Sequence, residues 1–318
     1  MTAAGALPAG KTALAAALAE LERAPESPAT LALLETAYAA PRGHVLGITG
    51  PPGVGKSTLL SALISRWRAA GRTVGVVAVD PSSRRSGGAL LGDRTRIKTA
   101  PGDDGVFIRS MAARDRLGGL AALTWPAMVV MRALFDIVVV ETVGVGQSEG
   151  DVADLADTVL LCIQPGAGDS LQYMKAGIVE IPDIVAVTKA DMGAIADRTR
   201  AEAHGALSLG GGAPPVLVLS ATAGSGLDEL IAAIDGHAAG LAGARLAAGA
   251  RLAAHRHDQA ERWLAAAVRE RFGRDGLRRA ALGPLAAGEA PFRRLDEVAR
   301  ALDGRQNIVA AGGQDGTS

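Results

Sequence analysis

The sequence predicts an α/β fold: a mostly parallel sheet flanked by helices, with helical extensions at its N- and C-terminal ends. Three observations predict it. Apolar runs of strand length alternate with helical patterns, as they do when parallel strands are joined by crossover helices. The runs are near-continuous in Val, Ile and Leu instead of alternating with polar residues, which indicates strands covered on both faces. A glycine-rich loop joins the first run directly to a helical pattern.

In chain order, the expected strands are His44 to Thr49, Thr73 to Asp80, Gly105 to Ile108, Phe135 to Glu141, Thr158 to Ile163, Ile184 to Thr188 and Val216 to Ser220. Helices are expected between them at Lys56 to Ala70, Leu171 to Val179, Ile195 to Ser208 and Leu227 to His237. Residues 1–40 read as a helical extension of two short amphipathic helices, and residues 41–239 as the core domain. Beyond residue 239 the text changes to Ala-Arg repeats such as Ala244 to Ala254, so 240–309 reads as a second helical extension. The Gly-rich, polar stretch 310–318 reads as a disordered tail.

Composition bounds the function. The chain has 318 residues, and 33 lysines and arginines balance 33 aspartates and glutamates. A net charge of zero argues against wholesale binding to nucleic acid or to an acidic membrane. No stretch reaches the ~20 uninterrupted apolar residues of a membrane helix. The helical run from Lys11 carries Glu20 and Glu22 where a signal peptide would be uncharged. The lone cysteine, Cys162, has no disulfide partner and sits in an apolar run, reading as a small buried side chain in a reducing compartment. These features together predict a cytoplasmic protein.

The chemistry begins at Gly50-Pro51-Pro52-Gly53-Val54-Gly55-Lys56-Ser57-Thr58, which fits G-x-x-x-x-G-K-[ST] in full. A strand precedes it and a helix follows, so loop and helix N–H groups converge on phosphates. A plain glycine turn needs no lysine followed by a hydroxyl at that register. Lys56 is expected to face solvent at the ligand site and pair with the β and γ phosphates, while Ser57 ligates magnesium. Two further strands end in carboxylates, Asp80 and Glu141, where ligands of open α/β sheets bind. Each can reach a P-loop magnesium, and each can equally be a helix N-cap or a turn residue. Glu141-Thr142-Val143-Gly144 resembles the D-x-x-G switch of GTPases with glutamate in place of aspartate, and by that resemblance the Gly144 N–H would report the γ phosphate.

Directly after the strand ending at Val187, Thr188-Lys189-Ala190-Asp191 resembles the [N/T]-K-x-D base-reading element of GTPases. Its aspartate would accept from guanine N1–H and N2–H₂, donors that adenine lacks. Lys189 would lay its aliphatic stem along the base. Thr188 stands where asparagine is commoner, which predicts a weaker tie to the base or to the P-loop. One strand later Ser220-Ala221-Thr222 resembles the element whose backbone N–H meets guanine O6.

These segments together resemble the MeaB/ArgK family of P-loop GTPases. The resemblance rests on Gly47 to Thr58, Val79 to Ser83, Ser86 to Thr95, Glu141-Thr-Val-Gly-Val-Gly-Gln-Ser-Glu149 and Pro165 to Asp169. It implies GTP and GDP as nucleotides with Mg²⁺ as cofactor, Asp93 in a first switch near the metal, and a mobile client-contacting segment after Pro165. It also implies a chaperone that gates cofactor loading into an adenosylcobalamin-dependent acyl-CoA mutase and protects it, working as a homodimer through C-terminal helices. Tyr173-Met174 departs from the family wording and bears on which client is served. Gln147 is a candidate to position water. The stretch Arg245 to Arg279, with Trp263 and Phe272, reads either as a dimer face or as a helix packed on its own core.

Two other classes compete. An ATP-using kinase or ATPase linked to basic amino-acid transport predicts adenine selectivity, against Asp191. A metal-insertion GTPase needs clustered soft ligands, and the sequence offers only the pair His255 and His257 without a second cysteine. No Ser-His-Asp or Cys-His set can be assembled for catalysis on a small molecule.

Overall fold

The computed structural model describes residues 5–81, 97–100, 102–113, 123–141, 152–166, 182–208, 214–242 and 249–312. Two helices, α1 (Gly10–Arg23) and α2 (Pro28–Ala39), precede the first strand, β1 (His44–Thr49). Then come α3 (Lys56–Ala69), β2 (Val74–Pro81), β3 (Val106–Ala113), α4 (Thr124–Leu134), β4 (Ile137–Glu141), β5 (Thr158–Ile163) and β6 (Ile184–Val187). The chain continues through α5 (Ala194–Ser208), β7 (Val216–Val218), α6 (Leu227–Ala242), α7 (Gly249–Ala280) and α8 (Pro291–Gly312). Helix α7 is interrupted at Gly273, whose φ of 70° is not helical.

The seven strands form one sheet in the order β3-β2-β4-β1-β5-β6-β7, and every neighbouring pair is parallel. The period of two sorts its side chains onto opposite faces. Val45, Val138, Val140 and Val159 join a core with α1, α2, α4 and residues of α7 and α8. Leu46, Ile48, Val139 and Leu160 point the other way and pack on α3 and α6. Leu161, Ile163, Val185 and Val187 are covered by α5. Both faces are therefore buried, as the uninterrupted apolar runs predicted.

Four elements differ from expectation, each for a physical reason. Helix α4 has no counterpart in the sequence reading: Thr124 to Ala133 are all buried, and a short, largely apolar run cannot be assigned to helix or strand by pattern alone. Strand β3 runs on to Ala113, past Ile108. It is an edge strand, and its Arg109 pairs with Glu22 of α1 at 2.6 Å, so a charged residue fits in it. Strand β7 stops at Val218, since Leu219 and Ser220 turn into the ligand end and Ser220 bridges Ser225. Helix α8 reaches Gly312, past the start of the expected tail, in keeping with the helix propensity of Ala310 and Ala311. The expected helix Leu171 to Val179 lies outside the described residues, as do residues 313–318. No helix among the described residues is long and apolar enough to cross a membrane.

Candidate functional site

The site forms where the central strands end. Strand β1 lies between β4 and β5, and its register pairs Ile48 with Glu141 on one side and Thr49 with Leu161 on the other. The loop leaving β1 therefore emerges beside Glu141 and beneath the end of β5. Gly50 makes this approach possible: a Cβ there would lie 2.2 Å from the Cys162 carbonyl oxygen, and its φ of +135° is one that side chains rarely adopt. Gly55 takes φ 100° as the residue before α3, and a Cβ there would meet nothing within 4 Å. The space beside Gly55 is thus open, and the first turn of α3 adds N–H groups that no helix can satisfy internally. A phosphate chain fits such a cradle in shape and charge.

Lys56 is buried, where the sequence suggested a solvent-facing side chain. It folds back under the loop, and Nζ donates to the carbonyls of Gly50 at 2.7 Å and Pro51 at 3.0 Å. These are charge-assisted bonds that hold the ammonium against the loop. Ser57 Oγ donates to Glu141 Oε1 at 2.8 Å, joining the start of α3 to the end of β4. Two oxygen donors, one of them a carboxylate, meet here, and hard divalent cations select such groups. Asp80 holds its strand position opposite Ala112 in β3. Its side chain lies outside what is described, as do Asp93, Gly144, Gln147 and Tyr173-Met174. Cys162 is fully buried and its thiol is pushed up to about 12 by that burial, so it packs and does not react.

The second half of the site follows β6 and β7. Thr188 N–H donates to the Ile163 carbonyl, and the buried hydroxyl donates to the Val54 carbonyl at 2.7 Å, with the Ile163 carbonyl at 3.1 Å. The tie to the P-loop expected to be weak is therefore made, because a hydroxyl at this buried position is already within reach of the loop. Lys189 is left-handed at φ 57°, and its Nζ donates to Gln164 Oε1 at 2.6 Å. Asp191, in the short turn Ala190–Met192, accepts from Ser220 Oγ at 2.7 Å. That hydroxyl, followed by the aspartate's own backbone, holds the exposed carboxyl below its usual range, so it stays an acceptor. Ser220 is fixed by paired backbone bonds with Ser225, and its hydroxyl lies 3.1 Å from Thr222 Oγ1. Ala221 follows at the same turn.

The structure thus brings Gly50 to Thr58, Glu141, Thr188, Lys189, Asp191 and Ser220 to Thr222 to one end of the sheet. Sequence reasoning passed over Gln164 and Ser225. Gln164 carried a usable signal, being the first polar residue after a buried strand, the same sign that singled out Asp80 and Glu141. The histidine pair is engaged elsewhere: His255 Nε2 donates to the Ala156 carbonyl at 3.0 Å, and His257 lies 3.5 Å from Glu261. Trp263 stacks on Trp125 with ring centroids 4.9 Å apart, so this part of the Arg-rich stretch packs on its own core.

The chain is similar to known proteins in sequence and in fold. The chain is 50% identical over 202 residues to a protein of Pyrococcus horikoshii named as a GTPase, a match covering 61% of this chain and 63% of that one. It is 42% identical over 193 residues to the mouse methylmalonic aciduria type A homolog, mitochondrial, covering 58% of this chain and 46% of the other. The chain therefore spans less than two thirds of the length of these relatives. Among solved structures, an LAO/AO transport system kinase superimposes with a TM-score of 0.63 at 26% identity, over 91% of this chain and 93% of the other. The model of the methylmalonyl Co-A mutase-associated GTPase family matches residues 12–278, and the chain belongs to that family, MeaB.

Proposed function

We propose that this chain binds and hydrolyses GTP, and that the difference between its GTP and GDP states governs its hold on an adenosylcobalamin-dependent acyl-CoA mutase. The observation that carries the guanine reading is the Ser220 hydroxyl on Asp191 at 2.7 Å. It fixes an ionised carboxylate at the strand ends, where guanine N1–H and N2–H₂ would satisfy it and adenine would leave it unpaired. The loop from Gly50 to Thr58 would cradle the phosphates, with Lys56 turning from the loop carbonyls to the β and γ oxygens. The hydroxyl of Ser57 and the carboxylate of Glu141 suit magnesium, with Asp80 and Asp93 as further oxygen donors. When bound, the metal would neutralise charge on the phosphate oxygens. Gly144 would sense the γ phosphate and Gln147 would orient the attacking water.

The mutase reading is supported by the family and by the relative named for methylmalonic aciduria. A switch acts on a partner only through differential affinity, typically with ~1–3 kcal/mol of coupling. The test has two arms. Fluorescent GDP and ADP are titrated first, with at least about tenfold preference for GDP expected from the Asp191 contacts. Equal affinities would remove the guanine reading and favour an ATP-using enzyme. Methylmalonyl-CoA mutase from the same organism is then mixed with the chain loaded with GDP or with a non-hydrolysable GTP analogue. Unequal affinities and altered GTP turnover are expected. No complex in either state would remove the chaperone role and leave the GTPase standing. Light scattering of the same samples tests the homodimer that the family resemblance implies.

A further inference from the structure

We infer that Gln164 is a positioning residue for the nucleotide base, acting through Lys189; the inference rests on the guanine-nucleotide reading above and deepens it. Ile163 of β5 pairs with Val187 of β6, so the residues that follow them, Gln164 and Thr188, leave the sheet side by side. Lys189 is one step further on, and its backbone is left-handed at φ 57°, ψ 45°. Among the described non-glycine residues only Ala281 shares a positive φ. A residue with a Cβ persists there only when its surroundings over-determine it. They do: Thr188 N–H is held by the Ile163 carbonyl, Ala190 N–H by the Leu219 carbonyl, and the Lys189 carbonyl accepts from Met192 N–H.

The backbone is therefore fixed at both sides, and the remaining freedom of Lys189 lies in its four-carbon stem. Gln164 removes it by accepting from Nζ at 2.6 Å. With both ends held, the methylenes of Lys189 form a wall beside the turn that carries Asp191. An apolar wall of this kind contacts the flat face of a purine, whereas Asp191 reads its edge. An amide suits the task because its oxygen accepts the bond without cancelling the ammonium charge. Gln164 thus sets where the stem lies and Asp191 sets which base is accepted.

The two roles predict different signatures. Gln164→Leu removes the acceptor at similar size, and GDP affinity should fall about fivefold, the scale of one hydrogen bond. Inosine diphosphate lacks the exocyclic amine but has the same faces, so its affinity should fall by the same factor. Asp191→Asn should instead change the ratio of the two. Gln164→Glu keeps an acceptor and should stay within about twofold of the parent chain. The decisive measurement is a double-mutant cycle by calorimetric titration of GDP, with a thermal melt of each variant. In a Lys189→Met background, Gln164→Leu should cost nothing further. An unchanged GDP affinity in Gln164→Leu, or a full additional loss on top of Lys189→Met, would overturn the inference. Equal binding of GDP and ADP by the parent chain would overturn the guanine reading instead, and the same cycle run with ADP would still decide the role of Gln164.

Discussion

The hydroxyl of Thr188 donates to the carbonyl of Val54 at 2.7 Å, linking residues 134 positions apart. Val54 lies in the Gly50 to Thr58 loop and Thr188 opens the turn that carries Asp191, so the two halves of the proposed nucleotide site are joined by a buried bond. Both residues are buried, and a buried carbonyl that loses its partner pays its full desolvation.

Thr188→Val keeps the shape and removes the donor. It is expected to destabilise the fold by about 1–3 kcal/mol and to weaken GDP several-fold, since neither loop then holds the other. Thr188→Asn restores a donor and should recover most of the affinity. Urea unfolding and GDP titration measure both effects, and an unchanged midpoint in Thr188→Val would show that the bond contributes nothing.

Gly50 and Gly55 belong to the same loop but should respond differently to alanine. At Gly50 the new methyl would meet the Cys162 carbonyl oxygen at 2.2 Å, so the strand or the loop must shift. A loss of about 2–4 kcal/mol of stability is expected from overpacking and backbone strain together. At Gly55 no atom lies within 4 Å and only the φ of +100° resists, so about 1 kcal/mol is expected. Its larger effect should fall on GDP binding, because the methyl enters the open side of the loop. Equal losses of stability in the two variants would contradict the close contact at Gly50.

Much of this was legible in the sequence because it rests on local rules. The Gly50 to Thr58 loop, the carboxylate of Glu141 and the Thr188 to Asp191 turn each follow a buried strand, and strands buried on both faces announce themselves as unbroken apolar runs. What stayed hidden depended on partners distant in the chain. Helix α4 is buried by elements the sequence does not place beside it, and its short apolar run does not by itself distinguish helix from buried strand. Gln164 is marked by its place after a buried strand, but its partner is not, because the left-handed Lys189 that delivers an ammonium to it comes from the next strand. The burial of Lys56 was hidden for the same reason, since its acceptors are loop carbonyls that exist only once Gly50 and Pro51 have turned.

At the opposite end of the sheet, Arg256 of α7 grips Asp157 with two bonds, Nε to Oδ1 at 2.9 Å and Nη2 to Oδ2 at 2.6 Å. Burial alone would raise the Asp157 carboxyl, but the Arg256 bond and charge, with the charge of Arg132, outweigh it and hold it low. Arg132 is buried as well; burial and the like charge of Arg256 push it down to about 10. Asp157→Asn should therefore leave the buried Arg132 and the half-buried Arg256 without the carboxylate charge that offsets them, at a cost of about 3–5 kcal/mol. Adding Arg256→Leu removes one of them and should restore part of the stability. Chemical denaturation of both variants is the measurement, and a double variant no more stable than Asp157→Asn would refute this account of the cluster.

A chain of polar groups runs on from this cluster and predicts a pH dependence. Thr158 Oγ1 lies 2.8 Å from His44 Nε2 and 2.7 Å from His237 Nδ1, and His237 Nε2 lies 3.3 Å from Asp183. A single hydroxyl proton must serve both rings. The hydrogen bond to Asp183 raises His237 above its ordinary value of 6.5, and when it is protonated the ring donates to both Asp183 and Thr158. Thr158 is then free to donate to His44, whose ring burial pushes below 6.5 and so keeps unprotonated. The two histidines act on stability with opposite signs. For His237 the native state binds more protons than the unfolded chain, so its contribution is complete below the unfolded value of about 6.5 and is lost as pH rises through its raised native value. For His44 the unfolded chain binds more, so stability falls as pH drops from about 6.5 through its lowered native value. His237→Gln should accordingly cost most on the acid side of about pH 6.5 and progressively less above it. Urea unfolding of the parent and variant across about pH 5.5 to 8.5 tests this directly. A cost independent of pH would mean that His237 does not carry its extra proton in the native state.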